Sequence, residues 1–295
     1  MRTQGLFSAL APFGPIDPRD WPTRKDSLLA PPFPDIAIAA GRKTAPYLRH
    51  LRKASKGRTF TVFLQNPGTG SGIADMVWVP AHDKLRGPNV VVTPTSPHPL
   101  RPALLDAARQ DVDPRIASLP IPRAAMILGG PSAHHAFEAK DDMALADAAR
   151  ALLAQGFSVM VTPSRRTAPE TLAAIRASLA SAPGKSFVWD GAGENPYPAM
   201  IANADAILVT GDSVNMVGEA LATRAPVHVY EPSGGHRKIR GYLEGLMASG
   251  VIRPWRGAIE DWTHEPVDAT GLIAAEIVRR YGAFRTKRAE IRSSS

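Results

Sequence analysis

The second half of this 295-residue chain alternates short apolar runs with helix-length segments, and this alternation constrains the fold more than any other feature. Between two of the runs, Leu145, Ala149 and Leu152 recur at spacings of three or four, as on the buried face of a helix. Apolar strands separated by amphipathic helices are typical of a parallel sheet covered on both faces. The predicted strands are Ala124 to Leu128, Ser158 to Thr162, Ser186 to Trp189, Ala206 to Thr210 and Val227 to Tyr230.

The first half predicts a strand-rich domain with one or two helices. Leu48 and Leu51 give one helix a narrow apolar stripe. The proline-rich residues 110 to 122 are typical of a linker, and the Arg/Lys/Ser composition after residue 282 is typical of a disordered tail. We therefore expect an N-terminal domain over residues 1–120, a C-terminal domain over residues 121–282 and a disordered tail over residues 283–295. The strands predicted in the first half are Asp35 to Ala40, Thr59 to Leu64, Met76 to Val79 and Asn89 to Thr93.

Composition excludes several classes of protein. The absence of cysteine excludes disulfide frameworks, thiolate zinc sites and cysteine nucleophiles. No apolar run approaches the roughly 20 residues of a membrane-spanning helix, and the N-terminus lacks the pattern of a signal peptide. The eight histidines show no metal-ligand spacing, so no metal is predicted. We expect a cytoplasmic protein.

The net charge of +8 is concentrated at the two ends of the chain. Residues 1–120 carry 16 Lys/Arg against 9 Asp and no Glu, whereas residues 121–282 carry 15 basic against 17 acidic residues. A basic window without any acid between Asp35 and Asp75 is expected to attract phosphates or an anionic membrane surface, and the alternative is a basic helix that is merely solvated. Nucleic acid is not a predicted partner, because no aromatic interleaving or RNA-binding signature accompanies the charge. The basic window consists of Arg42, Lys43, Arg49, Arg52, Lys53, Lys56 and Arg58.

Polar and glycine-rich residues follow each predicted strand of the second half. In an open parallel sheet, ligands bind outside the carboxyl ends of the strands. Glycines allow backbone N–H groups to approach phosphate oxygens closely, arginines neutralise phosphate charge, and a glutamate such as Glu219 can accept from ribose hydroxyls. The pattern predicts a site for a nucleotide diphosphate. Its candidate residues are Gly129, Gly130, Ser132, Ser164, Arg165, Arg166, Thr167, Asp190, Asn195, Gly211, Asp212, Ser213, Glu219 and Glu231.

Several stretches of the chain resemble the mitochondrial fission "elongated mitochondria" family and its bacterial relatives. They include Asn195-Pro196-Tyr197, the run Ala204 to Val214, the run Met216 to Ala220 and the run Pro226 to Tyr230. With Ser164 to Thr167, Trp189 to Gly191 and Leu85 to Asn89, the similarity extends from residue 35 to about residue 255.

The resemblance implies an α/β protein of GT-B-like architecture, with two Rossmann-like domains facing across a cleft. By similarity, Gly211 to Ser213 would meet a diphosphate, Glu219 the ribose and the loop after Trp189 the base. Members usually open with a strand and a glycine-containing loop that this chain does not show. That departure implies either a start upstream of Met1 or a first domain without its first βα unit, and we assign no catalytic residue.

The leading hypothesis is a metal-independent, cofactor-free glycosyltransferase. It would move sugar from a nucleotide-diphosphate donor to a lipid or glycan acceptor, at the inner face of a membrane. A nucleotide-sugar epimerase and a non-catalytic membrane-associated adaptor are the alternatives, since the plant family member is associated with recruiting a dynamin-related protein. A serine hydrolase is disfavoured because Asn215 breaks the G-x-S-x-G pattern, and an NTPase loop because Leu179 stands where a glycine is needed.

Overall fold

The computed structural model describes residues 9–24, 27 and 29–293 of the chain, which divide into two compact units. Unit 1 comprises residues 1–94 and 271–295, and unit 2 comprises residues 95–270. Both units are α/β with a wholly parallel sheet, so the expected fold class is confirmed. Over the described residues, no helix combines the length and hydropathy of a membrane span.

Unit 1 contains a four-stranded parallel sheet in the order β1-β2-β3-β4. The strands run Ile36–Ala40 (β1), Phe60–Leu64 (β2), Met76–Pro80 (β3) and Val90–Thr93 (β4). One face packs against a helix at Ala45–Ala54 (α1), and the other packs against the long helix at Ala269–Ser293, called α9 below. Short 3-10 turns lie at Pro18–Asp20, Arg42–Thr44 and Ser71–Ile73.

Alternation along the strands of unit 1 places successive side chains in different cores. Phe63 and Val77 contact the α1 side, whereas Val62, Met76 and Trp78 contact the α9 side. This is the two-residue period of a pleated strand that is buried on both faces. The sheet is therefore covered by one helix on each face.

Unit 2 contains a six-stranded parallel sheet in the order β10-β9-β8-β5-β6-β7. The first strand of the unit lies centrally, and the chain winds outward from it in both directions, which is the order of a doubly wound nucleotide-binding fold. The strands run Arg123–Leu128 (β5), Ser158–Pro163 (β6), Ser186–Val188 (β7), Ala206–Thr210 (β8), Val227–Tyr230 (β9) and Arg253–Pro254 (β10). The helices run Pro102–Gln110 (α2), Pro114–Ala117 (α3), Ala139–Ala154 (α4), Pro169–Ala180 (α5), Tyr197–Ala202 (α6), Val214–Ala220 (α7) and Arg237–Ala248 (α8).

The observed division of the chain differs from the expected boundary at residue 120. Residues 95–122 belong to unit 2, because the side chains of Leu105, Ile116 and Leu119 are buried in its core. The segment expected to be a linker, residues 110 to 122, therefore contains the short helix Pro114–Ala117 and follows directly on the helix Pro102–Gln110.

The segment expected to be a disordered tail is helical as far as Ser293. The α9 helix places Tyr281 and Phe284 against Phe60, with ring centroids 6.0 and 5.4 Å apart. Arg288 also donates a 2.8 Å hydrogen bond to the carbonyl oxygen of Arg58. These contacts stabilise a helix that its basic composition alone does not favour.

Candidate functional site

The candidate site lies at the point in unit 2 where the winding of the sheet reverses, between β5 and β8. These adjacent strands pair in parallel, and their carboxyl ends carry Gly129-Gly130 and Gly211-Asp212-Ser213. In doubly wound sheets a crevice for ligands opens at this position. The predicted residues after β5 and β8 are therefore brought together.

A buried carboxylate fills the space between these two strand ends. The side chain of Asp212 is 0% exposed and accepts hydrogen bonds from Thr210 Oγ1 at 2.7 Å and Gly130 N at 3.3 Å. Arg166, which follows β6, completes the set with an Nη2 to Oδ2 distance of 2.7 Å. Since the guanidinium also donates to the carbonyl oxygens of Gly130 and Pro131, Arg166 and Asp212 link the ends of three strands.

The two glycines after β5 make room for this network. A Cβ atom at Gly129 would lie 2.0 Å from Asp212 Oδ1, and one at Gly130 would lie 2.0 Å from the carbonyl oxygen of Arg166. The N–H of Gly129 donates to Thr210 Oγ1 at 2.7 Å. Both backbone donors that were expected to face a phosphate are thus engaged within the protein.

A cavity of about 170 Å³ lies beside this network, at the carboxyl ends of β5, β6 and β7. Glu219 from α7 supplies its carboxylate, and the Tyr197 hydroxyl donates to Glu219 Oε2 at 2.7 Å. Burial, together with the neighbouring Glu219 carboxylate, raises the pKa of Tyr197 well above its ordinary value, so this hydroxyl stays protonated. The lining residues are Ile127, Leu128, Thr162, Pro163, Ser164, Trp189, Asn195, Tyr197, Met216 and Glu219.

The wall of the cavity near Trp189 is a loop held by its own side chains. The Trp189 indole N–H donates to the carbonyl oxygen of Ala192 at 2.9 Å, and Asp190 accepts from the N–H of Ala192 at the same distance. Asn195 accepts from the N–H of Tyr197 at 3.0 Å. Asp190 therefore shapes the loop and is not among the residues that line the cavity.

A second, much smaller cavity of about 20 Å³ lies on the other side of the network, between the loops after β5 and β9. Its lining includes Gly211, Glu231 and the buried His135, whose pKa is lowered chiefly by burial. Ser132 closes the turn before it by accepting from the N–H groups of His134 and His135. At this size the cavity has room for little more than a water molecule.

The remaining predicted residues lie around these features. Ser164 and Thr167 bind each other in the turn after β6, with Thr167 Oγ1 donating to the carbonyl oxygen of Gly129 at 2.6 Å. Ser213 caps α7 by accepting from the N–H of Met216. Arg165 is exposed and makes no ion pair with any described residue. The candidates thus form a network and a cavity side by side and do not converge on a single open hollow.

The structure also adds residues that sequence reasoning did not assign to the site, chiefly Tyr197 and Met216. Tyr197 lies 22 positions from its partner Glu219, and no local spacing indicates that the two meet. The only signal for Tyr197 is its place in the Asn195-Pro196-Tyr197 stretch. Within the described residues, no group of three or more His, Asp or Glu side chains is arranged to hold a metal ion.

Among solved structures, two matches have low sequence identity and low TM-scores to this chain. The glycosyltransferase AviGT4, involved in avilamycin A biosynthesis, is 12% identical with a TM-score of 0.39, covering 86% of this chain and 79% of its own. MurG from Acinetobacter baumannii is 16% identical with a TM-score of 0.44, covering 85% of this chain and 69% of its own. Since both TM-scores lie below 0.5, the fold assignment is based on the two parallel sheets themselves.

Sequence comparison gives a closer match. The mitochondrial fission protein ELM1 of Arabidopsis thaliana is 29% identical over 276 residues, which cover 85% of this chain and 64% of that protein. This chain therefore spans less than two thirds of the length of that relative. Residues 1–281 match the family model described as mitochondrial fission ELM1. The expected family is thereby confirmed, and the chain belongs to the mitochondrial fission ELM1 family.

Proposed function

We propose that unit 2 binds a nucleotide-diphosphate sugar and that the protein transfers the sugar to a lipid or glycan acceptor at a membrane surface. The observation that carries the proposal is the cavity lined by Glu219, Tyr197 and Asn195, which lies beside the reversal point of the sheet. Doubly wound sheets bind nucleotides at this position. An apolar and aromatic lining with a few convergent polar groups is also the usual composition of a small-molecule site.

The chemistry of the cavity fits a nucleoside. One oxygen of Glu219 accepts from Tyr197, and a carboxylate has further lone pairs with which to accept from vicinal ribose hydroxyls. Trp189 and Met216 provide apolar surface for a base. The volume of about 170 Å³ is smaller than the roughly 300–1,000 Å³ of complete ligand pockets, so the cavity would hold the nucleoside and leave the diphosphate and sugar outside it.

Arg165 is the cation that we assign to the diphosphate. It follows Ser164, which lines the cavity, and it is exposed without an acidic partner among the described residues. Arg166 is less suited to this role because the buried carboxylate of Asp212 already neutralises it. A charge-assisted hydrogen bond from Arg165 to a phosphate would contribute roughly 1.5–3 kcal/mol.

A thermal-shift panel of UDP-, GDP-, CMP- and ADP-sugars tests the proposal. A ligand at about 100 times its Kd adds roughly 2.7 kcal/mol, which should raise the melting temperature by several degrees. Glu219→Gln keeps an acceptor for Tyr197. This variant should raise the ligand concentration needed for half of the full thermal shift at least tenfold, and Arg165→Ala should do the same. Glu244→Gln and Arg256→Ala, at exposed positions away from the cavity, are the matched controls.

Equal thermal shifts in the site variants and the controls would show that the ligand binds elsewhere. The absence of any thermal shift across the panel would reject donor binding. Where a sugar nucleotide binds, product analysis with a lipid or glycan acceptor distinguishes transfer from isomerisation of the sugar.

The filled reversal point favours a second candidate, a non-catalytic adaptor. The N–H groups of Gly129 and Gly130, and the charges of Arg166 and Asp212, are all satisfied within the protein. A protein that uses this fold only to recognise a partner needs no ligand here, because these polar groups already satisfy one another. Such an adaptor would melt at one temperature whatever sugar nucleotide is added.

A further inference from the structure

A large cavity in unit 1 is lined by cations and shares no lining residue with the cavity of the proposed donor site. Its volume is about 730 Å³, and it is bordered by α1, by the 3-10 turn at Ser71–Ile73 and by Phe13. No acidic side chain is among its described lining residues. The lining consists of Phe13, Arg49, Arg52, Lys53, Lys56, Gly57, Thr69, Gly72 and Ile73.

The four cations of the cavity follow one face of α1 and the turn after it. Positions 49, 52, 53 and 56 have the i, i+3, i+4, i+7 spacing that brings side chains together on one side of a helix. Like charges at these spacings repel one another, by a few tenths of a kcal/mol per pair on an exposed helix. Asp75 compensates for one of the four charges by pairing with Arg52, and the concentration of the other three around one concave surface is unfavourable unless a further anion compensates for it.

The two arginines are fixed to the walls of the cavity. Arg49 Nη2 donates to the carbonyl oxygens of Phe13 and Gly14 at 3.0 and 2.9 Å. Arg52 Nη1 donates to the carbonyl oxygen of Gly72 at 2.9 Å, while its Nη2 lies 3.1 Å from Asp75 Oδ1. These bonds hold both guanidinium groups in place, and each group has further N–H donors.

The side-chain ammonium groups of the two lysines, both at exposed positions, have no hydrogen-bond or ion-pair partner among the described residues. The hydroxyl oxygen of Thr69, which also lines the cavity, is buried and has no hydrogen-bond partner among those residues. Fixed guanidinium groups beside free ammonium groups form a binding arrangement for a compact group of high negative charge.

From this arrangement we infer that the cavity of unit 1 is a binding site for a multiply charged phosphate group, with Arg49, Arg52, Lys53 and Lys56 as its cations. The chemistry is that of a diphosphate or phosphomonoester, whether free in solution or on a lipid headgroup. The inference does not depend on the donor site in unit 2. It also differs from a diffuse attraction of the basic window to a membrane, because only the charges that line the cavity are required.

The test is calorimetric titration of the full chain with inorganic tripolyphosphate at fixed ionic strength. We expect saturable binding with one site per chain. The variant Lys53→Gln with Lys56→Asn should weaken the affinity at least tenfold; asparagine suits position 56, where the backbone φ is 50°. The control is Lys43→Gln with Lys84→Gln, which removes the same charge from exposed positions that do not line the cavity and should change the affinity less than twofold.

Equal weakening in the two double variants would show that net charge alone attracts the anion, and would overturn the inference, as would the absence of saturable binding. Flotation then distinguishes a phosphate on a lipid headgroup from a phosphate free in solution. It compares vesicles that carry phosphatidic acid with vesicles that carry phosphatidylserine at equal surface charge. A headgroup ligand predicts a preference for phosphatidic acid that tripolyphosphate abolishes. A free phosphate ligand predicts no such preference while the calorimetric difference remains.

Discussion

At the residue scale, the candidate site depends on the ion pair between the buried carboxylate of Asp212 and the partly exposed guanidinium of Arg166. Asp212 is wholly enclosed, and it accepts from Arg166, Thr210 and the backbone of Gly130. A buried carboxylate with this many donors is stable only as long as they all remain, because an uncompensated buried charge is costly. The pair therefore contributes to the order of three loops.

We predict that Arg166→Ala lowers the free energy of unfolding by roughly 2–4 kcal/mol, because it leaves the Asp212 carboxylate buried without its cation. Arg166→Ala combined with Asp212→Asn should recover a large part of the loss. Urea denaturation of the two single variants and the double variant measures the coupling between them. Purely additive effects would show that the two side chains do not stabilise each other.

A second residue-scale prediction concerns His228, which is fully buried in β9. Burial lowers the pKa of its imidazole to about 4, and its Nε2 accepts from the N–H of Glu260 at 3.2 Å. The imidazole takes up its proton near pH 6.5 in the unfolded chain and only near pH 4 in the folded chain. The free energy of unfolding should therefore have its full value above pH 6.5 and fall by roughly 3 kcal/mol between pH 6.5 and pH 4.

Urea denaturation of His228→Gln across this range checks the assignment. The variant should show a smaller loss of stability between pH 6.5 and 4 than the parent. The free energy of unfolding of the variant should still depend on pH to some extent, because burial also lowers the pKa values of His50 and His135. An unchanged slope would mean that protonation of His228 does not limit acid stability.

At the scale of elements, the strands of unit 2 could be predicted to within a residue or two. Strands such as Ala206–Thr210 are buried on both faces and are apolar up to their last residue, and so they stand out in the sequence. Strand β10 could not be found, because its two residues, Arg253 and Pro254, are recognised only by their pairing with β9. Helix α8 is not among the predicted elements, although Ile239, Tyr242, Leu243 and Leu246 recur at the spacing of a buried helix face.

The candidate site could be predicted only in outline. Its position followed from the rule that loops at the carboxyl ends of parallel strands share one edge of the sheet. The partners could not be predicted, because contacts such as Arg166 with Asp212 join residues 46 positions apart. Sequence reasoning therefore treated residues that satisfy each other as residues available to a ligand.

The extended α9 helix gives a prediction at this scale. Phe284 packs on Phe60, and its main-chain neighbours continue the helix to Ser293. Ending the chain after Gly282 should therefore lower the melting temperature by several degrees, because it removes a partly buried aromatic ring from the core of unit 1. Phe284→Ala in the full chain should reproduce most of this loss. A truncated chain that melts like the parent would show that residues 283–293 are dispensable for the core.

At the scale of the whole molecule, the basic charge is concentrated at the two ends of the chain. Residues 1–120 carry +7 and residues 283–295 carry +3, while residues 121–282 carry −2. We predict that the protein floats with anionic vesicles at low salt and is released at about 0.5 M salt, because the Debye length falls well below 10 Å in that range. Neutral vesicles provide the control. Binding that ignores both lipid charge and salt would reject the membrane-surface part of the proposed function.

The order of the chain has a further consequence, because unit 2 is a continuous insertion between the two segments of unit 1. During synthesis, Val62, Met76 and Trp78 emerge long before Ile273, the residue of α9 that covers them. The ribosome must complete all of residues 95–270 first. Until then this face of the first sheet lacks the helix that covers it, so the core of unit 1 cannot be completed before unit 2 has been synthesised.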